Sequence, residues 1–122
     1  MSLNQQLERW KIFQSQVEKA TIEGLILCLG DMNIDLKKWE DTTYYQKKIA
    51  GEYQLMIGEY GLKLLNFGTT WSRQIKDTNV ESALDHAFTN KPLSVDNYFK
   101  NMIGYSDHSL ICVDLKWDIP KP

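Results

Sequence analysis

The polar residues that are best suited to chemistry lie in three short segments, at residues 29–33, 82–88 and 104–110. In the first segment an apolar run ends at Gly30, and a carboxylate and a carboxamide follow at Asp31 and Asn33. Open sheets bind ligands at the carboxyl ends of their strands, so these two side chains are candidates for a site. Gly, Asp and Asn also favour turns, and a simple turn explains this segment better when it is taken alone.

The second segment predicts a strand at residues 83–89 in which Asp85 and His86 lie on opposite faces, because neighbouring residues of a strand point in opposite directions. Asp85 shares its face with the small residues Ala83 and Ala87. His86 shares its face with large apolar residues, where a polar side chain is usually satisfied by hydrogen bonds. We therefore select Asp85 as a candidate site residue and predict a structural role for His86.

The third segment places Ser106, Asp107 and His108 in a turn that leads directly into an apolar strand. A carboxylate is a ligand for hard cations such as Mg²⁺, and a histidine can donate to a phosphate oxygen or transfer a proton. Three consecutive side chains point in different directions, so they do not form a Ser-His-Asp triad. The sequence also lacks the Gly-x-Ser-x-Gly pattern of a nucleophile elbow, and its two cysteines lack the spacing of a zinc site.

The order of the periodic segments predicts a layered protein of helices and strands. Apolar residues spaced by three or four along residues 3–20 predict an amphipathic helix that ends at Gly24. A second helix is predicted from a cap at residues 41–43 to Gly61, with Tyr45 on its buried stripe. Strands are predicted at residues 25–29, 62–67, 83–89, near 102–103 and at 110–117, and a loop or hairpin end at 72–81. This order is typical of an α/β or α+β fold.

Composition and charge are those of an ordinary globular domain, with 122 residues of which 43% are hydrophobic and 25% charged. The net charge is −2 and the basic residues are scattered, so charge gives no support for nucleic-acid binding, although a bound metal would offset clustered carboxylates. The sequence predicts neither a membrane span nor a signal peptide. Cys28 and Cys112 lie in apolar runs, which predicts buried, reduced thiols in an intracellular protein.

Taken together, the three segments resemble a known family. Gly-Asp-Met-Asn at residues 30–33, Ser-Ala-Leu-Asp-His at 82–86 and Ser-Asp-His at 106–108 resemble, in this order, the last three motifs of the endonuclease/exonuclease/phosphatase superfamily. Within that superfamily, residues 66–73 and 82–90 most resemble the endonucleases of non-LTR retrotransposons. The resemblance implies a divalent-metal-dependent phosphodiesterase, most similar to a DNA-nicking endonuclease.

The resemblance also implies a role for each matching residue. Asp31 would orient or deprotonate the attacking water, and Asn33 would hold a phosphate oxygen and fix Asp31. Asp85 would orient His108, and His108 would stabilise the charge that develops on the phosphorus centre. These roles agree with phosphoryl transfer, which depends on positioning and charge neutralisation.

Metal and substrate contacts are implied in the same way. Asp107 would contribute to the binding of Mg²⁺ or Mn²⁺. Ser82 and Arg73 would join Asn33 in contacting the substrate. A superfamily domain begins with another half, which supplies an Asn, the principal metal-binding Glu and further Tyr and His residues, and none of these has a counterpart here. The metal site is therefore expected to be incomplete and the chain alone to be inactive.

The resemblance predicts that residues 1–122 form a single partial domain, the carboxyl-terminal half of a four-layer α/β sandwich. Such a half would supply one mixed β-sheet with helices on its outer face. The other face of the sheet would be apolar and open, which predicts a homodimer. The expected partner of the full-length parent is DNA, with no membrane partner, and the parent would be nuclear.

Three other interpretations of the sequence stay open. The chain could be a non-catalytic interaction domain that keeps the fold, or belong to a phosphatase of the same superfamily. It could also be an unrelated small α/β binding module with acids in its turns. That last reading predicts that Asp31, Asp85, Asp107 and His108 do not meet in space.

Overall fold

The computed structural model describes residues 2–116. Over these residues the chain forms two α-helices and seven β-strands, with a short 3-10 helix at Pro92–Ser94. The helices are α1 (Leu3–Glu23) and α2 (Lys47–Glu59). The strands are β1 (Leu27–Asp31), β2 (Lys63–Asn66), β3 (Trp71–Ile75), β4 (Thr78–Ser82), β5 (Asp85–Thr89), β6 (Val95–Met102) and β7 (Ser109–Leu115). The prediction of an α+β fold is confirmed.

All paired strands are antiparallel. A three-stranded sheet has the order β1-β5-β2, and the other strands form two hairpins, β3–β4 and β6–β7. A single bridge between Trp71 and His108 joins the two hairpins. The resemblance implied one mixed β-sheet. In the described residues the strands instead form these three antiparallel groups. Short turns connect β3 to β4 and β6 to β7, and short connections favour antiparallel pairing.

The two helices cover one face of the three-stranded sheet. Side chains of the central strand β5 alternate, so His86 and Phe88 point to the helices while Ala87 points to the opposite face. Phe88 is fully buried, and its ring contacts Phe13 of α1 and Tyr53 of α2. Both helices are thereby held against the middle of the sheet.

The opposite face of the sheet is covered by the β6–β7 hairpin. The second core consists of Leu65, Phe67 and Ala87 of the sheet region, packed against side chains that include Val95, Ile111 and Val113 of the hairpin. The expectation of a fully open sheet face is therefore corrected, because the chain itself supplies a second β layer. The cover is incomplete, since Leu29 of β1 remains 46% exposed.

Helix α1 begins and ends as its sequence pattern predicts. The Ser2 hydroxyl accepts a hydrogen bond from the Gln5 N–H, and the Gln5 side chain accepts one from the Ser2 N–H. This reciprocal capping box satisfies two backbone donors that the first turn leaves unpaired. The helix ends at Gly24, and Trp10 and Val17 of its apolar stripe are buried.

Helix α2 begins later than the sequence predicts. Asp41 accepts hydrogen bonds from the N–H and the hydroxyl of Thr43 in a turn, and the helix starts only after Gln46. Tyr45, expected on the buried stripe, is 82% exposed, whereas Tyr44 is buried. The helical spacing does not apply to Tyr45 because it belongs to the turns that precede the helix.

Most strand bounds differ from the predicted ones by one or two residues. Strand β1 begins at Leu27 rather than at residue 25, and β5 begins at Asp85 rather than at residue 83. Strand β6 is longer than predicted, and the polar segment before β5 forms the β3–β4 hairpin. The predicted end of the last strand at Trp117 lies outside the described residues.

Both cysteines are free, as predicted, but Cys28 and Cys112 are half-buried rather than fully buried. Burial raises the pKa of the Cys28 thiol. Across residues 2–116, neither helix combines the length and the apolar character that a membrane crossing requires.

We expect Phe88→Ala to lower the free energy of unfolding by about 3–5 kcal/mol, because it opens a cavity where both helices meet the sheet. Urea denaturation followed by circular dichroism measures this loss. The control is Leu93→Ala, which removes a side chain that is 83% exposed and should change stability by less than about 0.5 kcal/mol. Equal effects of the two substitutions would contradict the packing described for β5.

Candidate active site

The register of β1 and β5 places two carboxylates side by side. Asp31 is the last residue of β1, Asp85 is the first residue of β5, and their Cα atoms are direct partners across the ladder. The two segments remain hydrogen-bonded just beyond these strand ends, because the Met32 N–H donates to the Leu84 carbonyl at 2.9 Å. Both acids therefore lie at the same edge of the three-stranded sheet.

His108 reaches this edge from the turn that precedes β7. Its Nδ1 lies 2.8 Å from Oδ2 of Asp85, and its Nε2 lies 3.8 Å from Oδ2 of Asp31. One ligand-type atom from each of the three side chains lies within 4.8 Å of the others. We call these three residues the Asp-Asp-His group. The hydrogen bond predicted between Asp85 and His108 is thus present.

The bond to Asp85 assigns the position of a proton on the His108 ring. An ionised carboxylate only accepts, so Nδ1 carries the proton and Nε2 faces Asp31. The hydrogen bond to Asp85 is the main cause that raises the pKa of His108 above its ordinary value. Partial burial opposes the rise in pKa, and the charges of Asp85, Asp31 and Asp107 reinforce it. A larger fraction of His108 is therefore protonated near neutral pH.

Asn33 completes the turn after β1. Its backbone has a φ of 53°, a left-handed conformation that Asn adopts more readily than most residues. Its N–H donates to Oδ1 of Asp31 at 2.8 Å, so the other oxygen of that carboxylate is the one that faces His108. Asn33 also lines a cavity of about 180 Å³ together with Ser82 and Trp71. Asn33 and Ser82 therefore line one cavity, and the lining of that cavity includes none of the three residues of the Asp-Asp-His group.

Two residues assigned by the resemblance lie outside the Asp-Asp-His group. Asp107 is exposed, and its carboxylate is not part of the Asp-Asp-His group, although its charge helps to raise the pKa of His108. Arg73 is exposed in the middle of β3. The group consequently contains two carboxylates, but not the one that the resemblance assigns to the metal.

His86 is buried and makes its hydrogen bonds away from the group. Its Nε2 lies 3.1 Å from the Ile34 carbonyl, and its Nδ1 lies 2.8 Å from the Tyr53 hydroxyl. A carbonyl only accepts, so Nε2 carries the proton and Nδ1 accepts from Tyr53. Burial lowers the pKa of His86, which keeps the ring neutral. The predicted structural role of His86 is confirmed.

Comparison with known proteins identifies the fold. No family model and no curated protein matches this chain. Among solved structures, the endonuclease domain of TRAS1, a telomere-specific non-LTR retrotransposon, matches it with a TM-score of 0.69 at 18% sequence identity. The chain has the fold of a retrotransposon endonuclease domain. The alignment covers 89% of this chain and 52% of that chain, so the protein spans about half the length of the domain it resembles.

Thr70 ties the parts of this site together, although it lies outside the three segments at residues 29–33, 82–88 and 104–110. Its buried hydroxyl accepts hydrogen bonds from the N–H groups of Leu84 and Asp85 at 3.2 and 2.9 Å. Its carbonyl accepts from the Ser109 N–H at 2.6 Å, and its own N–H donates to the Ser82 carbonyl. One residue thereby fixes the starts of β5 and β7 relative to each other, which sets the distance from Asp85 to His108.

Asp35 is a second positioning residue that the motifs do not include. It is 3% exposed, and its Oδ1 accepts from the N–H groups of Ala83 and Lys37 at 2.9 and 3.0 Å. Its Oδ2 is buried and has no donor within the described residues. These bonds anchor the segment that leads into Asp85. The only indication of this role in the sequence is the position of Asp35, which lies two residues after Asn33 in a turn-forming segment.

The carboxylate of Asp31 fits a hard divalent cation such as Mg²⁺ or Mn²⁺. Mg²⁺ in phosphoryl-transfer sites is usually held by one or two carboxylates, with waters and substrate phosphates completing the shell. Oδ2 of Asp85 is already occupied by the hydrogen bond from His108, and a histidine nitrogen is a poor ligand for Mg²⁺. The described residues therefore fit a weak site that is centred on Asp31.

We expect Asp85→Asn to lower the pKa of His108, because the substitution removes the accepting carboxylate and its charge. Because the pKa of His108 is raised in the folded chain, its protonated form stabilises the fold. This contribution to the free energy of unfolding is complete below the pKa of the unfolded chain, and it is lost as the pH rises through the folded pKa. The measurement is an NMR titration of the ring Cε1–H signals in metal-free buffer. The chain has only two histidines, so the two ring signals are simple to assign. An unchanged pKa of His108 in Asp85→Asn would contradict the assigned hydrogen bond.

Proposed function

We propose that this chain is part of a divalent-metal-dependent phosphodiesterase, and specifically of a DNA-nicking endonuclease of the non-LTR retrotransposon type. The observation that carries the proposal is the Asp-Asp-His group at the sheet edge, in a fold similar to the TRAS1 endonuclease domain. Its two carboxylates and one protonated ring are suited to a reaction in which negative charge grows on phosphate oxygens.

In the proposed reaction, a water molecule attacks the phosphorus atom of the scissile phosphodiester. Oδ2 of Asp31 orients the water and takes its proton, while the Asn33 N–H holds the other oxygen of that carboxylate. The bond from phosphorus to one ester oxygen breaks, and the leaving oxygen takes a proton from solvent. A bound divalent cation would supply neutralisation of the charge on the phosphate.

His108 stabilises the charge that forms on the phosphate during this step. In its protonated form it presents Nε2–H on the side of the ring that faces Asp31, while Asp85 holds Nδ1–H on the other side. Asp85 is a positioning residue in this scheme, because it acts through His108. The raised pKa of His108 increases the protonated fraction at neutral pH, where the reaction would take place.

A non-catalytic interaction domain is the second candidate. The observation in its favour is that the Asp31 site alone is weak for a metal, because Oδ2 of Asp85 is already occupied by the hydrogen bond from His108. The two candidates differ in what metal and DNA do at the Asp-Asp-His group. Only the nuclease proposal requires both to act there.

The first experiment adds Mn²⁺ and then a short DNA duplex with Mg²⁺ to the labelled chain and follows it by NMR. Mn²⁺ should broaden the signals of Asp31 and its neighbours first, and the duplex should shift the signals of Asn33 and His108. Asp96→Asn is the control, because it removes an exposed acid at the opposite end of the β6–β7 hairpin from His108. Asp31→Asn should abolish the selective broadening, whereas Asp96→Asn should preserve it.

The nuclease proposal fails if the signals of the group respond neither to the cation nor to the duplex, and the interaction domain is then preferred.

Plasmid nicking by the chain alone in Mg²⁺ should not exceed that of Asp31→Ala. The loss of one well-placed electrostatic group can lower a rate by about 10²–10³. Robust nicking that disappears in Asp31→Ala would support the nuclease and contradict the incomplete site.

We also propose that the chain forms a homodimer through β7. Residues 110–113 of this strand are apolar on both faces, with Ile111 and Val113 packed inward and Leu110 and Cys112 on the outer face. Strands that are buried on both faces have this composition. Along residues 110–115 the described strands pair with β7 only on its β6 side. A second copy can pair edge to edge with β7 about a two-fold axis, which closes both free edges at once.

Sedimentation velocity at micromolar concentrations tests the dimer. The unmodified chain should sediment as a dimer, and Leu110→Glu should convert it to a monomer by placing a charge on the outer face of β7. Leu93→Glu, which changes an exposed leucine outside β7, should leave the dimer intact. A monomeric unmodified chain would exclude this assembly.

A further inference from the structure

Two atoms of the Asp-Asp-His group face each other across an open gap. Nε2 of His108 lies 3.8 Å from Oδ2 of Asp31, a separation that is longer than a hydrogen bond. Both side chains are open to solvent, since 35% of the His108 side chain and 48% of the Asp31 side chain are accessible. A dissolved ion can therefore reach both atoms without any change in the core.

Both side chains are oriented by partners on the far side from the gap. Nδ1–H of His108 donates to Asp85 at 2.8 Å, so the neutral ring directs the lone pair of Nε2 towards Asp31. Oδ1 of Asp31 accepts from the Asn33 N–H, which leaves Oδ2 on the His108 side. Histidines that bind metals usually donate their other N–H to a carboxylate or a carbonyl, which fixes the tautomer and makes the ring a stronger ligand.

The width of the gap fits one small divalent ion. Zn²⁺ forms bonds of about 2.0–2.1 Å to a histidine nitrogen and about 2.0–2.2 Å to a carboxylate oxygen. Two such bonds at a tetrahedral angle place the nitrogen and the oxygen about 3.4 Å apart, so the gap of 3.8 Å would close by about 0.4 Å. The Asp31 side chain is exposed at a strand end, and a small change in its torsion angles supplies this movement.

The pair of ligand types favours a transition metal over Mg²⁺. Imidazole nitrogen suits Zn²⁺ and similar ions, whereas Mg²⁺ is bound through oxygen. Within residues 2–116 neither Asp31 nor Asp85 pairs with a lysine or an arginine, so the negative charge of the group remains available to a cation. Two protein ligands leave coordination positions for water, which predicts an exchangeable ion rather than a structural zinc site with four protein ligands.

We infer that Oδ2 of Asp31 and Nε2 of His108 bind a divalent transition metal ion of the Zn²⁺ class, with Asp85 orienting the ring. This site differs from the weak Mg²⁺ site centred on Asp31, because it occupies the nitrogen that would otherwise act on the phosphate. A bound ion of this class would therefore block His108 in the reaction. That regulatory consequence rests on the proposed function, whereas the metal site rests on the geometry of the group.

Isothermal titration calorimetry with Zn²⁺ tests the site at a pH above the titration of His108, where the ring is neutral. All variants carry Cys28→Ala and Cys112→Ala, because both thiols are free and thiolates also bind Zn²⁺. His86 does not compete, since both of its ring nitrogens are hydrogen-bonded in the interior. One Zn²⁺ should bind per chain, and the same titration followed by NMR should shift the His108 ring signals.

Four substitutions identify the residues that hold the ion. Asp31→Asn and His108→Gln each remove one of the two ligands, and Asp85→Asn removes the partner of the ring, so each should weaken Zn²⁺ binding by about tenfold or more. Asp77→Asn is the control, because it removes an exposed acid in the turn between β3 and β4 and should leave the affinity unchanged. His108→Gln should also preserve the selective broadening by Mn²⁺ at Asp31, which separates the two metal sites.

The outcomes distinguish this inference from the proposed function. An unchanged Zn²⁺ affinity in His108→Gln, or no saturable binding by the chain without cysteines, would overturn the metal site. If the Zn²⁺-loaded chain still shows the shift of His108 with duplex and Mg²⁺, the regulatory consequence is wrong. The proposed function is tested with Mg²⁺ and duplex in the absence of Zn²⁺, so its failure would leave the metal site in place.

Discussion

The antiparallel register between β1 and β5 determines where every other part of the site must lie. Because Asp31 and Asp85 are cross-strand partners at the ends of two short strands, their carboxylates share one sheet edge without any help from long loops. A shift of one residue in this register would turn one acid to the opposite face. The large core under Phe88 and the small core over Ala87 both depend on the same register. Packing on both faces of β5 thereby protects the geometry of the site.

The two histidines show how environment decides the role of a residue type. His86 is enclosed by a carbonyl and a tyrosine hydroxyl, and burial holds its pKa below the ordinary value. His108 is half-exposed beside carboxylates, and its pKa is raised. A neutral imidazole with both nitrogens occupied can only support packing. A ring that is charged more readily, with one nitrogen facing an open edge, is able to act on a bound anion.

The sequence predicts the elements and the meeting of Asp31, Asp85 and His108 well, because these features depend on periodicity and on motifs at strand ends. It predicts poorly the tertiary hydrogen bonds that lie outside these motifs. Thr70 is one threonine among several, and only the folded chain shows that it joins β5 to β7. The late start of α2 follows from the turn at Asp41, which competes with helix capping. The second β layer was missed because contacts between β6–β7 and the sheet are distant in sequence.

The site is divided between two parts of the fold. Asp31 and Asp85 belong to the three-stranded sheet, whereas His108 directly precedes the last strand of the β6–β7 hairpin. That hairpin contacts the rest of the fold through one small core, the Phe67–Tyr98 ring contact and backbone hydrogen bonds to Thr70 and Ser72. Proteins open locally in units of this size at lower free energy than global unfolding requires. Each detachment of the hairpin would disassemble the site while the helices and the sheet stay folded. Whatever binds over the hairpin and holds it down would therefore keep the three side chains together without contacting them.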